Sequence, residues 1–205
     1  MTDLTLYSMP SSGNSYKVRL LLALLGKTVE TIDVEYGWEA LTRAKQDGRL
    51  PFGKAPVLDL GDGTRLPESN AILVWLGQGT HFVPSDTLEQ AQMLSWMFWE
   101  QNQHEGVIAV RAALLSYPHR KAQATPERLA ELLQSGNGLL KIMEDHLSGR
   151  DWLVGSRVSL ADLCLYAYTH TAESRGGFDL APFPALCGWL DRVAALPGYK
   201  GLMDG

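Results

Sequence analysis

The chain has 205 residues, 45% of them hydrophobic, with a formal net charge of −5. That length suits one large domain or two small ones and supplies a sizeable core. No lysine or arginine run is present and no apolar run reaches membrane-spanning length, so nucleic acid and membrane are not expected partners, and a soluble cytoplasmic protein is expected.

The elements alternate over the first 76 residues. Leu4–Tyr7 is apolar and β-prone. After the loop Pro10-Ser11-Ser12-Gly13-Asn14-Ser15 a helix is predicted, ending at Gly26, a usual residue just past a helix C-terminus. An alternating strand follows at Val29–Val34, which closes a βαβ unit with a right-handed crossover. A short polar helix is predicted around Trp38–Asp47, then strands at Pro56–Leu60 and Thr64–Leu66 separated by an Asp-Gly turn. A helix at Ser69–Leu76 completes the order β-α-β-α-β-β-α, a small mixed sheet flanked by helices. Residues 78–86 read as a linker. Beyond it the chain is helical, with helices predicted over Thr87–Ser116, over Pro126–Leu147, from Ser159, and from near Pro184. The expected division is 1–77, a linker, and 87–205.

Ser159-Leu160-Ala161-Asp162 is a capping-box variant ahead of an apolar run, so Asp162 is read as a structural cap. Cys164 and Cys187 have neither a Cys-x-x-Cys nor a metal-ligand spacing and read as free thiols. The five histidines form no metal-binding pattern, and no metal is expected.

Three segments carry chemistry. A hydroxyl at Ser12 faces the positive end of a helix dipole and unpaired backbone N–H groups, a natural place to hold an anion, including a thiolate. The same residue also suits a plain N-cap. In Gly53-Lys54-Ala55-Pro56-Val57 a proline opens a strand. A cis Ala55–Pro56 bond would turn the Ala55 backbone outward, where an extended peptide can pair with it. In Pro67-Glu68-Ser69-Asn70-Ala71-Ile72 the helix start presents the Ser69 N–H and hydroxyl to a carboxylate, and Glu68 suits an ammonium. Lys54 suits a second carboxylate.

On these segments, together with Ser159-Leu160-Ala161-Asp162-Leu163 and Trp189–Tyr199, the chain resembles the cytosolic glutathione transferase family, near its bacterial serine-type theta, zeta and nu members. The resemblance implies a thioredoxin-like glutathione-binding domain followed by an all-α domain. It also implies a homodimer, and detoxifying transfer of glutathione to a small electrophile. It assigns γ-glutamyl recognition to Glu68 and Ser69, cysteinyl pairing to Ala55 beside cis Pro56, and a glycyl-carboxylate contact to Lys54. The sulfur-activating group falls on Ser12, with Ser11 and Asn14 as neighbouring candidates. The loop holds no cysteine, which disfavours a mixed disulfide with the enzyme. The electrophile is expected between this loop and the helical part, with Met9 and Pro10 on one wall and Gln103, His104, Val107 and Arg111 on the other. Alternative readings are a glutathione-dependent disulfide or peroxide reductase, a maleylacetoacetate isomerase-like enzyme, and a binding protein that kept the fold without catalysis.

Overall fold

The computed structural model describes residues 4–204, and they fall into two compact units. The first comprises the described residues up to Thr80 together with those from Leu196 onward; the second runs from His81 to Ala195.

The first unit is a four-stranded sheet in the order β2-β1-β3-β4. β1 (Thr5–Ser8) runs parallel to β2 (Glu30–Asp33) and antiparallel to β3 (Val57–Asp59), which pairs antiparallel with β4 (Arg65–Pro67). The parallel pair is joined through α1 (Gly13–Leu24), the crossover that a βαβ unit requires. α2 (Glu39–Gln46) and α3 (Ser69–Gly77) complete the order read from the sequence, and this is the thioredoxin-like arrangement. α1 stops where Gly26 takes a left-handed φ of 61° and its N–H returns to the Ala23 carbonyl. The unit buries Leu6, Val18, Leu20, Leu21, Val57, Leu58, Ile72 and Leu73 completely.

The expected boundary grouped 87–205, but the last described residues pack on α1. The Tyr16 hydroxyl donates to the Lys200 carbonyl at 2.7 Å and Arg19 donates to the Leu202 carbonyl at 3.0 Å. A short tail after a proline and a glycine carries no periodicity, so no local pattern marks which unit it joins.

The second unit is helical. α4 (Thr87–Trp99), capped by the Asp86 carboxylate on the Leu88 and Glu89 N–H groups, passes through a wide-turn segment, Glu100–Ala109, into α5 (Val110–Ser116). α6 (Pro126–Leu147) starts with Thr125 as cap and proline as first residue. α7 (Leu160–Thr169), α8 (Ala172–Gly176) and α9 (Pro184–Ala194) follow. The capping box expected at Ser159 and Asp162 forms. Asp162 is fully buried and accepts four hydrogen bonds, from the Leu153 and Ser159 N–H groups, the Ser159 hydroxyl and the Trp189 indole, at 2.8–2.9 Å. Burial pushes its carboxyl above the usual carboxylate range, and these donors pull it back. Both cysteines are free. Among the described residues no helix is long and apolar enough to cross a membrane.

Candidate glutathione site

Sheet register gathers the three chemistry-bearing segments at one end of the first unit. Tyr7 lies opposite Val57, and Val57 opposite Pro67. The end of β1, the start of β3 and the end of β4 are therefore neighbours, and the chain leaves them through Ser8–Ser12, Ala55–Pro56 and Glu68–Ser69. The Ala55–Pro56 peptide is cis, as the family resemblance implies.

Ser12 is the N-cap of α1. Its hydroxyl oxygen accepts a long bond of 3.5 Å from the Ser15 N–H, and it donates its own proton to no described residue. The side chain is half-buried at the positive end of a twelve-residue helix. Ser11 is held differently: its N–H donates to the Glu35 carboxylate at 3.0 Å, and that carboxylate also takes the Tyr36 N–H. Asn14 joins two of the segments, since its side-chain oxygen accepts the Ser69 hydroxyl at 3.1 Å. The Ser69 hydroxyl expected to face a carboxylate is thus committed to Asn14. As the first residue of α3, Ser69 keeps a backbone N–H with no intrahelical partner.

Glu68 precedes α3 with φ 71° and ψ 115°, the single non-glycine residue with positive φ among the described residues. Such a conformation costs about 1–3 kcal/mol. It holds the carboxylate exposed, with no hydrogen bond or ion pair to any described residue. Lys54 is exposed beside the half-buried Ala55.

Four residues that pattern reading did not single out support this end. Ser15 accepts the Met9 N–H at 2.9 Å. Arg19 donates to the Ser8 hydroxyl and to the Met9 and Pro10 carbonyls. Lys17, fully buried, donates to the Asn70 side chain at 3.3 Å. Glu35 fixes Ser11. For Ser15, Lys17 and Arg19 the available signal was a set of polar side chains on one otherwise largely apolar helix; such groups are buried only when bonded, and Glu35, beyond β2, carries no such signal.

The expected electrophile-facing residues divide. In the first unit Met9 is 7% exposed and Pro10 half-buried. In the helical unit Gln103 is exposed and Val107 half-buried. His104 and Arg111 are interior residues and do not offer a substrate wall. His104 is fully buried against the Thr169 hydroxyl, 3.0 Å from its Nε2. Arg111 ties α5 to α6 and α8, donating to the Leu129 carbonyl at 2.6 Å and the Gly176 carbonyl at 2.7 Å. An interior guanidinium needs such carbonyl acceptors, and it finds them inside its own unit.

A thioredoxin-like sheet with a cis proline opening β3, followed by a helical unit, defines a class of thiol-handling proteins. Residues 6–80 match the glutathione S-transferase N-terminal domain, and residues 107–197 match the glutathione S-transferase C-terminal domain. A glutathione S-transferase from Xanthobacter autotrophicus is 41% identical, with 98% of this chain and 97% of that one covered and a TM-score of 0.89. One from Pseudomonas fluorescens is 39% identical, with 98% and 100% covered and a TM-score of 0.91. Among curated relatives, the disulfide-bond oxidoreductase YfcG of Escherichia coli is 27% identical, over 94% of this chain and 90% of that protein. The chain belongs to the glutathione S-transferase family. Glutathione is the family's co-substrate.

Proposed function

We propose that this glutathione transferase ionises the thiol of bound glutathione with the Ser12 hydroxyl and delivers the thiolate to a small electrophile. The observation that carries the reading is the uncommitted Ser12 proton at the start of α1, beside the cis Pro56 end of the sheet. A thiol that titrates at about 8.5 in water is mostly protonated at neutral pH. A hydroxyl donor and a helix N-terminus both favour the charged sulfur. A depression of about two units stabilises the thiolate by roughly 2.7 kcal/mol, which leaves most of the bound thiol ionised.

The rest of the tripeptide has matching groups in this reading. Glu68 takes the γ-glutamyl ammonium and the Ser69 N–H its carboxylate. The Ala55 backbone pairs with the cysteinyl unit, and Lys54 meets the glycyl carboxylate. The loop offers no cysteine to form a mixed disulfide, which favours transfer over thiol–disulfide exchange. Asn14 orients Ser69 here, and Ser11 shapes the loop through Glu35. Leu88, Leu94 and Phe98 leave apolar surface exposed on α4. That supports a homodimer, and sedimentation of a 22.6 kDa species alone would remove the dimer from the reading.

The test is Ser12→Ala. The thiolate absorbance of bound glutathione should move toward the pH at which the free thiol titrates, and chlorodinitrobenzene conjugation at pH 6.5 should fall about a hundredfold. An unchanged spectrum and rate would assign sulfur activation to Asn14 or to backbone N–H groups instead.

A further inference from the structure

We infer that Arg19 is a positioning residue for the sulfur site and that the tail segment around Leu202 forms part of the same device. The inference rests on the reading of the Ser8–Ser12 loop as the sulfur-binding loop.

The geometry begins with helix spacing. Ser15 and Arg19 are one turn apart on α1, so their side chains share a face, and both turn to the same short stretch of chain. Ser15 Oγ accepts the Met9 N–H at 2.9 Å, and Arg19 donates to the Met9 carbonyl at 3.4 Å. Both polar atoms of one peptide residue are therefore held by one helix face. The other Arg19 donors take the flanking residues: the Ser8 hydroxyl at 2.7 Å and the Pro10 carbonyl at 3.1 Å. The Met9 carbonyl is the pivot, because it also accepts the Ser12 N–H at 3.0 Å. A path of hydrogen bonds thus leads from the guanidinium through one carbonyl oxygen to the backbone of the proposed sulfur ligand.

The fourth acceptor extends the path away from the site. Arg19 donates to the Leu202 carbonyl at 3.0 Å, and the Tyr16 hydroxyl, also on α1, holds the Lys200 carbonyl at 2.7 Å. A residue nearly two hundred positions away therefore supplies one of the acceptors that fixes the guanidinium plane. Only a planar fork with several N–H groups spans these acceptors together; an ammonium at the end of a lysine keeps the charge and loses the fork. A donor to sulfur works when it is held where the charge forms, and small displacements of such a donor are costly. Arg19 touches no substrate in this arrangement; it sets the height of Ser12 above the start of α1.

The test compares three proteins with the wild type: Arg19→Lys, a chain ending at Gly201, and Ser12→Ala. Each is read by the pH titration of the bound thiolate, by glutathione affinity, and by thermal unfolding. Arg19→Lys should raise the apparent thiol pKa by about one unit, a tenfold loss of thiolate at low pH, with glutathione affinity well below pH 6, where the bound thiol is protonated in both proteins, changed less than about twofold because Glu68, Ser69 and Lys54 are untouched. The shortened chain should shift the titration in the same direction by a smaller amount. A residue that only stabilised the fold would lower the unfolding temperature and leave the titration of the folded protein where it was. That result for both variants would overturn the inference, and where Arg19→Lys yields no folded protein the shortened chain decides. If Ser12→Ala shifts the titration and the other two do not, Arg19 alone loses its role. If Ser12→Ala leaves it unmoved while Arg19→Lys shifts it, the loop acts through another donor and the positioning role of Arg19 stands.

Discussion

Two helices of this protein start on a serine cap, and the two caps have opposite fates. At α7 the cap is closed. Ser159 and Asp162 lock each other, and the carboxylate also gathers Leu153 and Trp189, with every group buried. At α1 the cap is left open. Ser12 makes one long bond as an acceptor, keeps its proton uncommitted and stays half-buried. The same residue type at the same helical position serves cohesion where its bonds are saturated and chemistry where they are not. A third helix start, Glu68 before α3, goes further: its side chain caps nothing, and its backbone adopts a conformation that ordinary residues avoid.

The largest way to break this contrast is at the closed cap. Asp162→Ala should orphan the Leu153 and Ser159 N–H groups and the Trp189 indole in the interior. The expected loss is about 3 kcal/mol or more, read as a lower denaturation midpoint, with thiol titration in the surviving folded protein unchanged. Ser12→Ala should invert that pattern. Loss of a single long cap bond is expected to remove at most about 1 kcal/mol of stability, while conjugation suffers the larger loss already described. Equal stability losses from the two variants would collapse the distinction. The smallest effect belongs to Glu68→Gly. Glycine accepts positive φ, so stability should rise by about 1 kcal/mol. Calorimetry should at the same time show glutathione binding weakened about tenfold, as the ammonium partner is gone. Unchanged affinity would assign the Glu68 carboxylate no role in binding.

Much of the first unit was legible from local signals. Strand alternation, the Asp-Gly turn, the glycine after α1 and the proline opening β3 are each read within a few residues, and every one of these elements formed. The three site segments were legible as segments, because helix starts and strand starts announce themselves in sequence. What was not legible is which side-chain atoms are already spent. The Ser69 hydroxyl goes to Asn14, 55 positions away, and the loop is fixed by Glu35 and Arg19, whose partners no short-range pattern specifies. In the helical unit two expected wall residues, His104 and Arg111, are interior for a different reason. Gln103, His104, Val107 and Arg111 share a face on an ordinary helical wheel, but they straddle a wide turn. There the buried positions recur every fourth residue, at Glu100, His104 and Ile108, so a wheel drawn at 3.6 residues per turn assigns the inward side to the wrong set.

That wide turn also makes the length of the segment a constraint in its own right. Between Glu100 and Ala109 the backbone carries more residues per turn than the helices on either side, as the Val110 N–H reaching back to the Glu105 carbonyl shows. Removing one residue with the wide winding kept would turn everything beyond it by about a quarter turn. Arg111 would then swing off the Leu129 and Gly176 carbonyls that it now joins. Conservative exchanges of residue type within this stretch keep the phase of α5, whereas a single deletion unhooks three helices together.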